Sequence, residues 1–306
     1  MFRTKQSRRE FLGTSAAVAA ASGLPGVALS QAALPQRRIP STGEALPVIG
    51  LGSSKGVSEI AERGPAALTQ VLQTLVSHGG RLVDTWPRNA ANDAGFGTII
   101  NQPDLRDALF VTSKIDRTGR DAGIAQFEET LQLYGREQLD LIQIFSLTDL
   151  DTHWPSLLQW KERGRARYIG VTVAEERLYA PLEEFLERAQ PDFIQLNYSI
   201  TERAAENRLL PLAADKGIAV LINRPFMNGS YFDRLEGVAL PSWAAEFGCE
   251  TWAQFSLKYI LANEALTCVL TETSNPAHMA ENIMAAFGGT PDAAQRERMR
   301  RYIDTV

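Results

Sequence analysis

Cysteine is scarce in this chain: Cys249 and Cys268 are the only two in 306 residues. Two cysteines cannot make a disulfide framework, and these lack the spacing of metal ligands. The three histidines, His78, His153 and His278, lie far apart, which argues against a His-rich metal site. No glycine-rich phosphate loop of the dinucleotide or P-loop type follows any strand-like run. Positive charge is also short, 31 Lys and Arg against 36 Asp and Glu, so bulk attraction to nucleic acid or anionic lipid is excluded. Long apolar runs are missing as well. The best, Phe11 to Leu29, is diluted by Gly13, Thr14, Ser15, Ser22, Gly23, Pro25 and Gly26, whereas a spanning helix needs roughly 20 strongly apolar residues.

That diluted run has a different meaning. Residues 1 to 10 carry Arg3, Lys5, Arg8 and Arg9, and small residues follow the run at Ala28, Ser30 and Ala32. Basic head, weak apolar middle and small-residue tail form the layout of a cleavable export signal, with cleavage expected near Ala32. The paired arginines before Phe11 and Leu12 resemble a twin-arginine signal. The twin-arginine export machinery is therefore an expected partner and the periplasm the expected destination. Residues 1–32 hold four basic groups and one acid, so the remaining chain keeps 27 basic against 35 acidic residues, a formal charge of −8.

Residues 33–306 suffice for one large domain, and no Pro/Ser-rich linker divides them. Short apolar runs alternate with helical patterns. Strands are predicted at Val48–Leu51, Arg81–Asp84, Leu109–Lys114, Leu139–Phe145, Tyr168–Thr172, Phe193–Asn197, Ala219–Asn223 and Thr267–Leu270. Helical periods fall between them, as in Leu68-Leu72-Leu75-Val76 and Phe127-Leu131-Leu133. Eight such alternations at this length predict a closed parallel (β/α)8 TIM barrel, not an open sheet. Polar residues cluster at the C-terminal ends of the predicted strands: Asp84, Lys114, Thr172, Gln195, Asn197, Asn223 and Arg224. In this barrel type that end carries the site.

Eight segments then appear in a telling order: IPSTGEALPVIGLG (39–52), RLVDT (81–85), LFVTSKI (109–115), LDLIQIF (139–145), RYIGVT (167–172), FIQLNYS (193–199), VLINRPF (220–226) and TSNPAHMAEN (273–282). Together they resemble the aldo/keto reductase family, in particular a bacterial branch with export signals. The resemblance implies NADPH bound across the top of the barrel, a carbonyl substrate, and a catalytic tetrad of Asp, Tyr, Lys and His. Asp84 matches the Asp and Lys114 the Lys. The Tyr position, five residues after the Asp, holds Asn89, and the His position holds Phe145. An asparagine amide is too weak an acid to protonate a forming alkoxide, and losing a positioned acid forfeits about 10²–10⁴ in rate. Ordinary carbonyl reduction is therefore expected to be weak or altered. The Asp84–Lys114 pair itself serves two readings: a catalytic lysine, or a buried ion pair kept for stability.

The same resemblance assigns cofactor positions. Gln195 matches a residue that bonds the nicotinamide carboxamide, and Thr172 the hydroxyl of the preceding strand. Asn223 replaces the aromatic that stacks on the nicotinamide, and Arg224 follows it. Thr273, Ser274, His278 and Asn282 match the clamp on the adenosine end. Glu272 replaces the lysine for the 2′-phosphate, so NADP is expected to lose its advantage over NAD. The alternative is a non-catalytic barrel that binds a small-molecule ligand or a partner. Its mouth would be lined by Asp84, Trp86, Arg88, Asn89, Lys114, Phe145 and Arg224. Other features have structural readings: Trp154, Trp160, Trp243 and Trp252 as packing, LNYS (196–199) as core, Cys268 as an inert buried thiol, and Arg163, Arg165 and Arg167 as solvated cations at a helix end. The RERMRRYID stretch, Arg296 to Asp304, reads as an amphipathic closing helix.

Overall fold

The computed structural model describes residues 33–306; the expected signal segment, 1–32, lies outside the described residues. Eight parallel strands close into a barrel. They are β1 (Ile49–Gly52), β2 (Leu82–Asp84), β3 (Phe110–Ile115), β4 (Leu139–Phe145), β5 (Ala166–Thr172), β6 (Phe193–Asn197), β7 (Ala219–Asn223) and β8 (Cys268–Glu272). β8 closes the ring by pairing with β1, Val269 against Ile49. Each predicted strand is present; Leu139–Phe145, Phe193–Asn197 and Ala219–Asn223 have the expected bounds, and the other five differ by one or two residues at one end or both. The principal helices are α1 (Ala66–Ser77), α2 (Ala90–Ile100), α3 (Arg120–Tyr134), α4 (Leu150–Glu162), α5 (Tyr179–Arg188), α6 (Leu209–Lys216), α7 (Trp252–Leu261), α8 (Pro276–Met284) and α9 (Ala293–Thr305). This is the (β/α)8 architecture.

Period-two alternation decides what faces where. Val83, Val111, Ile142, Ile144, Val171 and Ile194 point outward, into the apolar layer shared with the helices. Leu82, Phe110, Leu141, Tyr168, Phe193, Leu221 and Cys268 point inward and fill the lower barrel. A hairpin the strand pattern did not anticipate, Gln36–Arg38 paired with Ala45–Pro47, lies against that lower layer through Ile39 and Leu46. With the lower half filled by side chains, a pocket opens above it, at the C-terminal strand ends.

One structural reading changes. Arg167 is not merely solvated: it pairs with Asp140 at 2.7 Å and with Glu44, because it stands on β5 and not at a helix end. The 196–199 segment is buried as expected, with Tyr198 bonded to Glu206. Arg296 of α9 donates to the Tyr198 hydroxyl at 2.6 Å, which ties the closing helix to the barrel. Among the described residues no helix is long and apolar enough to cross a membrane.

Candidate active site

The inward register that stacks Leu82 low puts Asp84 above it, and Phe110 leads in the same way to Thr112 and Lys114. Asp84 and Lys114 are 5% and 4% exposed, and Lys114 Nζ donates to Asp84 Oδ1 at 2.6 Å and to the Thr85 carbonyl at 2.8 Å. The Thr112 hydroxyl donates to the same carboxylate oxygen. Gln195 Nε2 donates to the other, Oδ2, at 3.1 Å. Three donors thus converge on one carboxylate. Burial pulls the Lys114 ammonium below the ordinary lysine range, while Asp84 opposes that shift and Arg88 adds to it.

Gln195 is more occupied than the sequence suggested. Its Nε2 serves Asp84, and its Oε1 accepts from Gln143 Nε2 at 2.8 Å, so its amide is turned into the barrel.

Above the ion pair stands an aromatic stack. Phe145, at the end of β4, lies 4.5 Å from Trp86 between ring centres at an interplanar angle of 21°. The Trp86 indole donates to Asp116 Oδ2 at 2.7 Å, and Gln126 Nε2 donates to Asp116 Oδ1 at 2.7 Å, so the indole is held from behind. The Arg88 guanidinium lies 4.6 Å from the Trp86 ring centre. The Arg88 backbone N–H is held by Asp93 Oδ2 at 2.9 Å. Burial pushes the Asp93 carboxyl up to about 6.

These groups surround a pocket of about 650 Å³, a size that suits a small ligand. It brings together Asp84, Lys114, Trp86, Arg88, Phe145, Thr172, Gln195, Asn223, Arg224, Glu272, Thr273 and Ser274. It does not bring in Asn89. That residue is exposed and caps α2, its side-chain oxygen accepting from Asn92 N at 3.0 Å, so its expected place in the mouth is corrected. The cause is local: after Pro87 and Arg88 the chain turns outward, and an asparagine there satisfies an orphan helix N–H. His278 and Asn282 also lie outside the pocket lining, one exposed and one buried on α8. His153, the nearest imidazole in sequence to Phe145, is buried on α4 and bonded to the Arg117 carbonyl at 2.6 Å, away from the pocket.

The sequence reading missed Lys55, which lines the rim just after β1, and Phe226 and Phe232 beyond β7. Lys55 N–H donates to Glu272 Oε1 at 2.8 Å, linking the ends of β1 and β8. The loop after β7 holds Arg224, Met227 and Asn228 at φ of 49°, 50° and 56°. Left-handed non-glycine residues cost about 1–3 kcal/mol each and gather where a loop is shaped for a ligand. No glycine motif marks that loop in advance. Among the described residues no cluster of metal-ligating side chains occurs.

With the barrel and the pocket established, comparison with known proteins decides the family. The model of the Aldo/keto reductase family matches residues 48–297. The chain belongs to the aldo/keto reductase family. An NADH-specific methylglyoxal reductase of Escherichia coli (strain K12) is 28% identical over 206 residues, covering 54% of this chain. The chain spans about 60% of the length of that curated relative. Among solved structures, an aldo-keto reductase from Bacillus halodurans in its holo form superimposes with a TM-score of 0.73 at 18% identity, covering 88% of this chain and 96% of that one. An aldo/keto reductase from Klebsiella pneumoniae in complex with NADP and acetate gives 0.70 at 19% identity, covering 85% and 93%. At those identities the likeness shows the fold.

Proposed function

We propose that this aldo/keto reductase is a nicotinamide-dependent carbonyl oxidoreductase of weak or altered activity toward ordinary aldehydes. One observation carries the reading: the buried Lys114–Asp84 pair forms part of an open pocket whose lining includes neither a tyrosine nor an imidazole. On the family pattern, Asn89 and Phe145 stand in for the tetrad's Tyr and His, and neither replaces its chemistry.

The unpartnered groups of the pocket suit a nicotinamide dinucleotide. Asn223 Oδ1 is enclosed with no hydrogen-bond partner, an acceptor of the kind a carboxamide N–H requires. Lys55 and Arg224 line the rim, and neither forms an ion pair among the described residues, so a diphosphate would meet two free cations. When bound, the cofactor supplies hydride to a carbonyl carbon. Lys114 is then the group placed to give the carbonyl oxygen its proton, and burial, by weakening its hold on that proton, suits it to the task. Trp86 and Phe145 keep water from the adjoining wall.

Glu272 favours NADH over NADPH, since a carboxylate near the 2′-phosphate position is repulsive. The NADH specificity in the name of the E. coli relative supports the same preference. The decisive experiment titrates the mature protein with NADH and NADPH and follows NADH oxidation with small aldehydes. NADH binding at least as tight as NADPH, with slow turnover, is expected. Rapid reduction of ordinary aldehydes would show that the pocket retains a strong acid. Failure to bind either nucleotide would leave the second reading, a non-catalytic ligand-binding barrel, which the Trp86–Phe145 stack beside the ion pair favours.

We also place the chain in the periplasm, delivered folded by the twin-arginine route, on the strength of Arg8, Arg9 and the diluted apolar run. Mass spectrometry of the exported protein should show a new N-terminus near Ala33.

A further inference from the structure

We propose that Arg88 is an anion-recognition residue of the substrate site, and that the carbonyl substrate carries a carboxylate next to its carbonyl group. The proposal rests on the oxidoreductase reading above and names the substrate class of the same pocket. Its basis is the balance of charge. Lys55, Arg88, Lys114 and Arg224 line the pocket against Asp84 and Glu272. Asp84 is matched by Lys114 at 2.6 Å, and Glu272 accepts from the backbone of residue 55 at 2.8 Å. Arg88 forms no ion pair among the described residues, and its enclosed Nε has no hydrogen-bond partner.

Arg88 also follows the strand that carries Asp84, four residues on, and packs over Trp86 beside Phe145. It lies close enough to Lys114 to lower that ammonium's proton affinity, whereas Lys55 and Arg224 belong to the loops after β1 and β7. Its head is preorganised: the guanidinium rests on Trp86 at 4.6 Å, the indole is fixed by Asp116 at 2.7 Å, and the Arg88 backbone is fixed by Asp93 at 2.9 Å. The guanidinium packs over the Trp86 ring, and a carboxylate is the planar anion that takes two donors of such a fork at once. A carboxylate next to the reacting carbonyl would let one small ligand meet both Arg88 and Lys114, which line the same pocket. Neutral aldehydes use neither feature of Arg88, which agrees with their expected poor turnover.

The test compares two isosteric ligands, pyruvate and neutral 2,3-butanedione, by titration of the mature protein with intrinsic tryptophan fluorescence or calorimetry, without cofactor. Arg88→Gln removes the charge, and Arg88→Lys keeps the charge but removes the fork. The natural protein should bind pyruvate more tightly than butanedione, and raising salt should weaken pyruvate alone. Arg88→Gln should weaken pyruvate about tenfold or more, Arg88→Lys by less, with butanedione unchanged within about twofold. Equal binding of the two ligands by the natural protein would overturn the proposal. So would equal losses for both ligands in Arg88→Gln, the mark of a merely structural role on Trp86. If Arg88→Gln does not fold, the Arg88→Lys ratio and the salt dependence decide. NADH titration of the same samples separates the two ideas, since charge-dependent pyruvate binding without NADH binding upholds the anion site and rejects the oxidoreductase.

Discussion

Breaking the Asp84–Lys114 pair is the most informative perturbation of this fold. The two groups meet at 2.6 Å with side chains 7% and 4% exposed, so removing one strands a charge in a poorly solvated place. Such losses typically cost about 3–5 kcal/mol. The structure refines that range by what each partner retains. In Lys114→Met, Asp84 keeps the Thr112 hydroxyl and Gln195 Nε2, so the cost belongs near the lower end, about 3 kcal/mol. In Asp84→Asn, the ammonium keeps the Thr85 carbonyl and whatever the new amide oxygen offers, with Arg88 repelling it, so the cost rises toward about 4 kcal/mol unless the lysine sheds its proton. The double variant should cost clearly less than the sum of the singles, a coupling of about 2 kcal/mol or more. Urea denaturation at neutral pH, repeated at high salt, measures all three, and the coupling should resist salt because the pair is buried. Single losses below about 1 kcal/mol, or strict additivity, would refute the picture of a desolvated pair and leave catalysis as the reason for Lys114.

Three other outcomes follow from particular contacts. Burial raises Asp93 from 3.8 to about 6, so the fold favours its protonated form; its stability contribution is present at low pH and lost as pH rises through 6. Asp93→Asn, whose amide oxygen can still accept from Arg88 N, should therefore raise the melting temperature above pH 6, by roughly 1–2 kcal/mol in stability, with the gain fading toward pH 4. Asn89→Ala should lose the α2 cap, about 1 kcal/mol by denaturation, while nucleotide and pyruvate titrations stay unchanged because residue 89 is outside the pocket. Gly97→Ala should destabilise by about 1–3 kcal/mol or prevent folding, since a Cβ there would lie 2.1 Å from the Leu133 carbonyl of α3; a melting temperature equal to the parent's would contradict the close α2–α3 approach.

Much of this molecule was legible in one dimension. Eight apolar runs at regular intervals determine the strands, because a strand buried between barrel interior and helix layer must be apolar on both faces in its lower half. The same alternation determines that Asp84, Lys114, Phe145, Thr172, Gln195 and Asn223 share the inner surface, since each lies an even number of steps from an inward apolar residue or at a strand end. What alternation cannot carry is the direction of the chain once a strand ends. The family resemblance puts position 89 in the mouth, yet the turn after Pro87 spends that side chain on a helix cap, while Trp86 and Arg88 line the pocket. Gln195 reads as a free amide at a strand end, yet closure of the barrel places it between Gln143 and Asp84, contacts 52 and 111 residues distant in sequence. Lys55 carries no local mark of function and gains one only when β8 pairs with β1 and brings Glu272 beside it. The sequence determines the strands and the side each residue faces; long-range closure alone decides which polar groups spend their hydrogen bonds on one another and which atoms, such as Arg88 Nε and Asn223 Oδ1, are left without a partner.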